Sequence, residues 1–244
     1  MRFTGRERTM SIIDIAIIAV FVTVLLMGLY NGFCHTGLSF AAIILSIILA
    51  FMFMGLGSNK LKDNEKLYNM MLYYTEGSEF INDSELAKRS IYTFTTEEID
   101  EIIEGAELPY PMDKEIRRNI MKEAFSEQGI ITLGEYFNST MVNVFINIVV
   151  FLVFYLVFRV LFAVGINWYD YAVGLPGLRA YDALFALAAS CIRGLLVLVV
   201  IFTLVPIVLT FLGQISFIKD MLNESKLVHL LYESNFILSW MPST

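Results

Sequence analysis

Residues 37–57 read Gly37-Leu-Ser-Phe-Ala-Ala-Ile-Ile-Leu-Ser-Ile-Ile-Leu-Ala-Phe-Met-Phe-Met-Gly-Leu-Gly57, an apolar run without a single charge. A helix needs roughly 20 residues to cross about 30 Å of hydrocarbon, and this run meets that length. Three further stretches have the same character. One runs from Ser11 to about Tyr30 with Asp14 as its only charge, and one from about Met141 to Gly165 with Arg159. The last runs from near Ala183 to Leu212 with Arg193. The first is long for a signal peptide and lacks a small-residue cleavage pattern, so it reads as a retained helix. The expected fold is all-α: a polytopic membrane protein with four transmembrane helices, a small helical water-facing insert and an amphipathic C-terminal helix.

Boundaries follow from where polarity changes. Residues 1–57 read as an N-terminal transmembrane hairpin and 58–138 as an acidic helical insert. Residues 139–212 read as a second hairpin and 213–244 as the tail. The chain is 57% apolar and 17% charged, with a mean hydropathy of +0.66. The insert holds nine Lys/Arg against seventeen Asp/Glu, a net −8, so the net −7 of the chain belongs to it. Such a surface repels nucleic-acid phosphates and anionic headgroups, which excludes nucleic acid as a partner.

The last apolar stretch is about 30 residues, or about 45 Å of helix, too long to cross upright. The preferred reading puts its first ten residues at the interface and the span at Gly194–Leu212, with Arg193 at headgroup level and a kink at Pro206. Small residues spaced by four mark faces where helices approach closely in lipid: Ala42, Ser46 and Ala50, then Ala186, Ser190 and Gly194. Asn143 and Asn147 share a face of the third helix and are expected to bond across to a neighbouring one.

In the insert, Thr95-Thr-Glu-Glu98 has the form of a capping box, opening a helix through Ile99, Ile102 and Ile103 that Gly105 could close. After Leu108-Pro-Tyr-Pro111 a second helix carries Ile116, Ile120, Met121 and Ala124. With Leu67, Met70, Met71 and Tyr74 these are expected to form a cap. The tail alternates Phe217, Met221, Leu227, Leu230 and Leu231 with Lys219, Asp220, Glu224 and Lys226. It ends in Trp240 and reads as a helix lying along the membrane surface.

Catalytic signatures are missing. There is no phosphate-cradling glycine loop with Lys, no HExxH and no G-x-S-x-G, and Glu97 and Glu98 suit a helix first turn. Cys34, His35 and Cys191 do not make a coordination shell. The reading is therefore non-enzymatic, without cofactor or metal. The groups that stand out are Asp14, Arg159, Asp182 and Arg193, ionisable residues in or bordering the lipid, with a functional or an orienting role. A buried charge needs a partner, so Asp14 is expected to pair with Arg193 or Arg159.

These residues also carry a family resemblance. Ser11-Ile-Ile-Asp14, then Gly28 and Gly32-Phe33, resembles the start of the colicin V production protein (CvpA) family. Leu175-Pro-Gly-Leu178, Asp182, Ala186, Ser190 and Arg193-Gly194 look like its D-x-x-x-G-x-x-x-G-x-x-R-G block, with Ala186 and Ser190 where the family usually has glycine. Ser225-Lys-Leu227 with Tyr232 and Asn235 is similar to its closing S-x-L segment. The likeness begins near Met10, so residues 1–9, with Arg2, Arg6 and Arg8, read as an extension or a misassigned start. The resemblance implies a bacterial plasma-membrane protein needed for colicin V production, with the first and third loops cytoplasmic and the insert outside. Three readings stay open: support of peptide export or envelope maintenance, a small oligomeric transporter or channel subunit, and a scaffold whose insert binds a protein partner. The expected partners are the lipid bilayer and either a second copy or another membrane protein.

Overall fold

The structure, a computed structural model, describes residues 11–168, 181–212, 222 and 225–244. Residues 175–178 and most of 214–224, and Arg2, Arg6 and Arg8, lie outside the described residues. Described elements are helical: α1 (Ile12–Lys62), α2 (Glu65–Tyr74), α3 (Ser84–Lys88), α4 (Thr96–Gly105), α5 (Met112–Met121), α6 (Leu133–Trp168), α7 (Asp182–Phe202), α8 (Val205–Leu212), α9 (Lys226–Glu233) and α10 (Phe236–Ser239). Three stretches are long and apolar enough to cross a membrane: Ile12–Lys62, Leu133–Trp168 and Asp182–Thr210. The two expected N-terminal spans are thus one helical element of 51 residues, without the loop expected between Tyr30 and Gly37.

That element is broken at one residue, Gly32, whose φ of 76° and ψ of 173° are non-helical. This backbone region is open to glycine and essentially closed to other residues. The Thr36 hydroxyl donates to the Gly28 carbonyl at 3.1 Å, although a straight helix would hold these residues about 12 Å apart. Further out, Asp14 touches Ser225 and Lys62 touches Thr244, both in the short C-terminal segment. A straight helix would separate Asp14 from Lys62 by about 72 Å. α1 therefore folds back on itself as two arms, residues 12–31 and 33–62.

Each arm runs antiparallel to a later helix. From Gly32 back through Gly28 to Val24, the neighbours on α7 advance from Asp182 through Ser190 to Arg193. From His35 through Ser39 to Gly57, the neighbours on α6 recede from Asn167 through Arg159 to Val150. The corner at Gly32, the C-terminus of α6 and the start of α7 thus share one end. Asp14, the insert and the chain's last residues share the other.

α7 corrects the expected fourth span. One face of its first ten residues packs on the first arm, with Asp182 set against Gly32 and the fully buried Ser190 against Gly28, instead of lying at an interface. The helix stops at Phe202, and α8 begins after a turn at Thr203–Leu204. Pro206, in the first turn of α8, has no N–H for the Phe202 carbonyl, so the break falls before it. The 21 residues of α7 give about 32 Å, one crossing's length, with Arg193 near the middle.

The insert is built on the start of α6. A second capping box opens that helix: the Thr132 amide and hydroxyl donate to Glu135, and the Glu135 amide donates back to the Thr132 hydroxyl. α4 opens with the Thr95/Glu98 box that its sequence predicts and closes at Gly105. Ile99, Ile103, Ile116 and Ile120 are buried with Phe125, Leu133, Tyr136 and Phe137, each worth roughly 1.5–3 kcal/mol of burial. α2 departs from expectation in part: Met71 packs against the core with Tyr68 and Leu72, while Leu67, Met70 and Tyr74 are exposed.

The tail is also corrected. Within residues 225–244 the chain folds inward instead of lying along a surface, and Asn235, Ile237, Leu238, Met241 and Ser243 are buried while Trp240 is exposed. Asn147 of α6 donates to the Pro242 carbonyl at 2.7 Å, Asn119 of α5 donates to the Ser243 carbonyl at 3.3 Å, and Asn235 donates to the Val199 carbonyl at 2.9 Å. Asn147 thus serves the tail rather than a neighbouring long helix.

Candidate functional site

The four charges singled out in the sequence fall in three layers of the bundle. Asp182, at the start of α7, accepts a hydrogen bond from the Phe33 amide at 3.2 Å. That amide belongs to the first turn of the second arm, where N–H groups lack intrahelical partners and favour negative charge. Asp182 is thus a helix cap supplied from another element. Its other oxygen lies 3.1 Å from where a Cβ on Gly32 would sit, a second reason for glycine there.

Asp14 lies at the opposite end. It accepts from the Ser11 amide at 3.2 Å and from the Ser225 hydroxyl. Ser225 also caps α9 by accepting from the Val228 amide at 3.0 Å. The expected pairing of Asp14 with an arginine is not what forms, because Arg193 lies some ten residues up the first arm, beside Val24. Among the described residues neither Asp14 nor Asp182 is in an ion pair.

The middle layer holds both arginines. Arg159 of α6 donates to the Ser39 hydroxyl at 3.0 Å, and Arg193 of α7 donates to the Val24 carbonyl at 3.4 Å. Arg193 is buried and Arg159 half-buried. Ser190, one turn from Arg193, is fully buried with its hydroxyl unpartnered among the described residues.

The small residues divide by element. A Cβ on Gly28 would stand 1.6 Å from the Ser190 hydroxyl and 2.8 Å from its Cβ, and one on Gly194 would stand 2.8 Å from the Phe21 ring. The first arm and α7 therefore approach closely, with the Ser190 side chain seated on Gly28 and the Phe21 ring on Gly194. Ala42, Ser46 and Ala50 are buried along the second arm, with the Ser46 hydroxyl donating to the Ala42 carbonyl at 2.7 Å.

A separate feature was not read from the sequence. A cleft of about 920 Å³ opens between the insert and α8–α9. Glu76, Glu79, Glu104, Glu107, Asp113 and Glu233 line it, with Lys114 and His229, and Tyr73, Tyr74, Tyr110 and Tyr232 supply aromatic wall. The Tyr232 hydroxyl donates to the Tyr110 carbonyl at 2.6 Å, and burial, with the nearby Asp113 carboxylate, holds its phenol far above the ordinary range. Carboxylates beside aromatic faces favour cations. These residues come from three segments far apart in sequence, so no motif announces them.

The described residues that carry the family likeness thus meet in space, Asp182 through Gly194 against the first arm and Ser225 against Asp14. No curated protein and no solved structure matches the chain. The sequence model described as Colicin V production protein matches residues 13–83, the stretch containing both arms of α1 from Ile13 onward and the opening of the insert.

Proposed function

We propose that the chain is a bacterial plasma-membrane protein of the colicin V production type that crosses the bilayer four times. In this reading it supports peptide export or envelope maintenance and is not a catalyst. The observation that carries the reading is the outer face of the bundle. Ile15, Val22 and Leu26, Met52 and Leu56, Val153 and Val160, and Ile192 and Leu195 are all exposed, a continuous apolar girdle that water would penalise and lipid would not. At the corner end Tyr30 is 92% and Trp168 84% exposed, and Tyr181 is exposed beside them, the amphipathic rings expected at a membrane interface. The two arms of α1, α6 and α7 are the four crossings, with Ser11, the insert and Thr244 outside the cytoplasm.

The test is genetic and biochemical together. The protein should stay in membranes through alkaline carbonate. Deleting its gene should abolish peptide-toxin secretion in a producing strain or sensitise the envelope to detergent, with restoration by the wild-type chain. Carbonate release would contradict the membrane reading, and unchanged secretion and envelope would contradict the functional one.

The cleft favours a second reading, in which the insert receives a protein partner bearing basic residues. Glu104→Lys with Glu107→Lys should then release a co-purifying partner while the folded yield stays unchanged. Retention of that partner would count against it.

A further inference from the structure

We infer that the cleft between the insert and α8–α9 is a binding site for a small organic cation, an amidinium, guanidinium or primary ammonium group carried on an apolar body. The inference rests on the reading that this cleft takes a positively charged partner, and only on the sign of that charge. The lining is layered. Glu76, Glu79, Glu104, Glu107 and Glu233 are exposed and form an acidic rim. Ile103, Val205, Val228 and Tyr232 are its buried part, so the floor is apolar and aromatic. A volume of about 920 Å³ falls in the range of roughly 300–1,000 Å³ usual for small-molecule sites, which join an apolar lining to a few placed polar groups.

Charge, hydrogen bonding and shape each point to that ligand. Among the described residues Glu76, Glu79, Glu104, Glu107 and Asp113 are in no ion pair, while His229 is engaged with Glu233 at 3.2 Å. Lys114 lines the same cleft without answering them: its Nζ stands over the Tyr110 ring, 4.9 Å from the centroid. The aromatic wall thus already holds a cation on a ring face, and the carboxylates are left to repel one another. Asp113, half-buried in the first turn of α5, sets the hydrogen bonding. Its Oδ1 atom is buried and accepts no hydrogen bond among the described residues. Leaving such an acceptor unmade is costly, so the fitting cation is one that brings N–H donors. A forked N–H pair matches a carboxylate, and an apolar body behind it meets the buried floor.

Purified protein in neutral detergent is titrated with benzamidinium chloride at constant ionic strength while the unfolding midpoint is followed. Benzamide has the same shape without the charge, and acetamidinium has the charge without the ring. Benzamidinium should raise the midpoint saturably, with both controls at least tenfold weaker. The response should weaken at least tenfold in Asp113→Asn and in Glu104→Gln combined with Glu107→Gln. Because a variant could fail to fold, carboxyl labelling of the wild type with a water-soluble carbodiimide and glycine ethyl ester is read by peptide mass spectrometry. Benzamidinium should protect Glu104, Glu107 and Asp113, and leave Glu97 and Glu127, exposed outside the cleft, unprotected. If either control stabilises equally, if the response survives in both variants, or if the cleft carboxylates stay unprotected, the site does not exist. A protein partner released by Glu104→Lys with Glu107→Lys, without benzamidinium binding, would overturn this inference and keep the partner reading. Benzamidinium binding with no such partner would do the reverse.

Discussion

The Asp182 carboxylate accepts a hydrogen bond at 3.2 Å from the amide of Phe33, a residue 149 positions earlier. This contact closes the corner that turns α1 into two arms, and Gly32 supplies the backbone shape it needs. Asp182→Ala should destabilise the protein by about 0.5–2 kcal/mol, and Asp182→Asn by less, because an acceptor oxygen remains. Gly32→Ala should cost about 1–3 kcal/mol. The check is the unfolding midpoint in detergent, and equal midpoints for Asp182→Ala and wild type would contradict the cap.

Asp14 and Ser225 tie the first helix to the start of the tail. A double-mutant cycle of Asp14→Asn with Ser225→Ala should show a coupling of about 0.5–3 kcal/mol. The cycle of Asp14→Asn with Arg193→Gln should be additive within about 0.5 kcal/mol. Coupling in the second cycle and additivity in the first would reverse the assignment.

Gly28 and Ser190 fit as a gap and the group that fills it. Gly28→Ala should lower the unfolding midpoint, because its Cβ would collide with the Ser190 side chain. Adding Ser190→Gly should recover part of the loss, less the cost of about 1 kcal/mol for glycine inside a helix. A further drop in the double variant would mean that the two residues do not share that space.

What the sequence reveals of this fold depends on how local each determinant is. The Thr95/Glu98 box is a local signal and is found as read, while the apolar runs are found as three long apolar helices where four were expected. The single-residue break at Gly32 is also local, but Tyr30 to Gly37 carries enough polar and small residues to resemble a loop. Pairings such as Asp14 with Ser225 depend on tertiary closure, and charge alone pointed instead to the arginines. The tail shows the same limit. Alternation of Leu227, Leu230 and Leu231 with polar residues indicates an apolar face, and nothing in that pattern distinguishes a lipid surface from a protein groove. α2 differs the other way, since Leu67 and Met70 share the helical spacing of Met71 yet stay exposed while Met71 packs against the core.

Because the tail is buried, removing it should matter. Truncation before Asn235 deletes Ile237, Leu238 and Met241 from the core and strips Asn119 and Asn147 of bonds to it. Folded yield should fall severalfold, since each lost apolar side chain is worth roughly 1.5–3 kcal/mol of burial. A truncated chain as stable as wild type would restore the surface-lying tail.

The central claim, four crossings with the insert and C-terminus on one side, is tested most directly by cysteine accessibility. Single cysteines replace Ser84 in the insert, Tyr181 at the corner end and Thr244 at the C-terminus, in a background without Cys34 and Cys191. Intact cells then meet a membrane-impermeant maleimide. Positions 84 and 244 should label in intact cells, and position 181 only after permeabilisation. Labelling of 181 alone would invert the orientation while keeping four crossings. Labelling of 84 and 244 from opposite sides would contradict the four-crossing bundle.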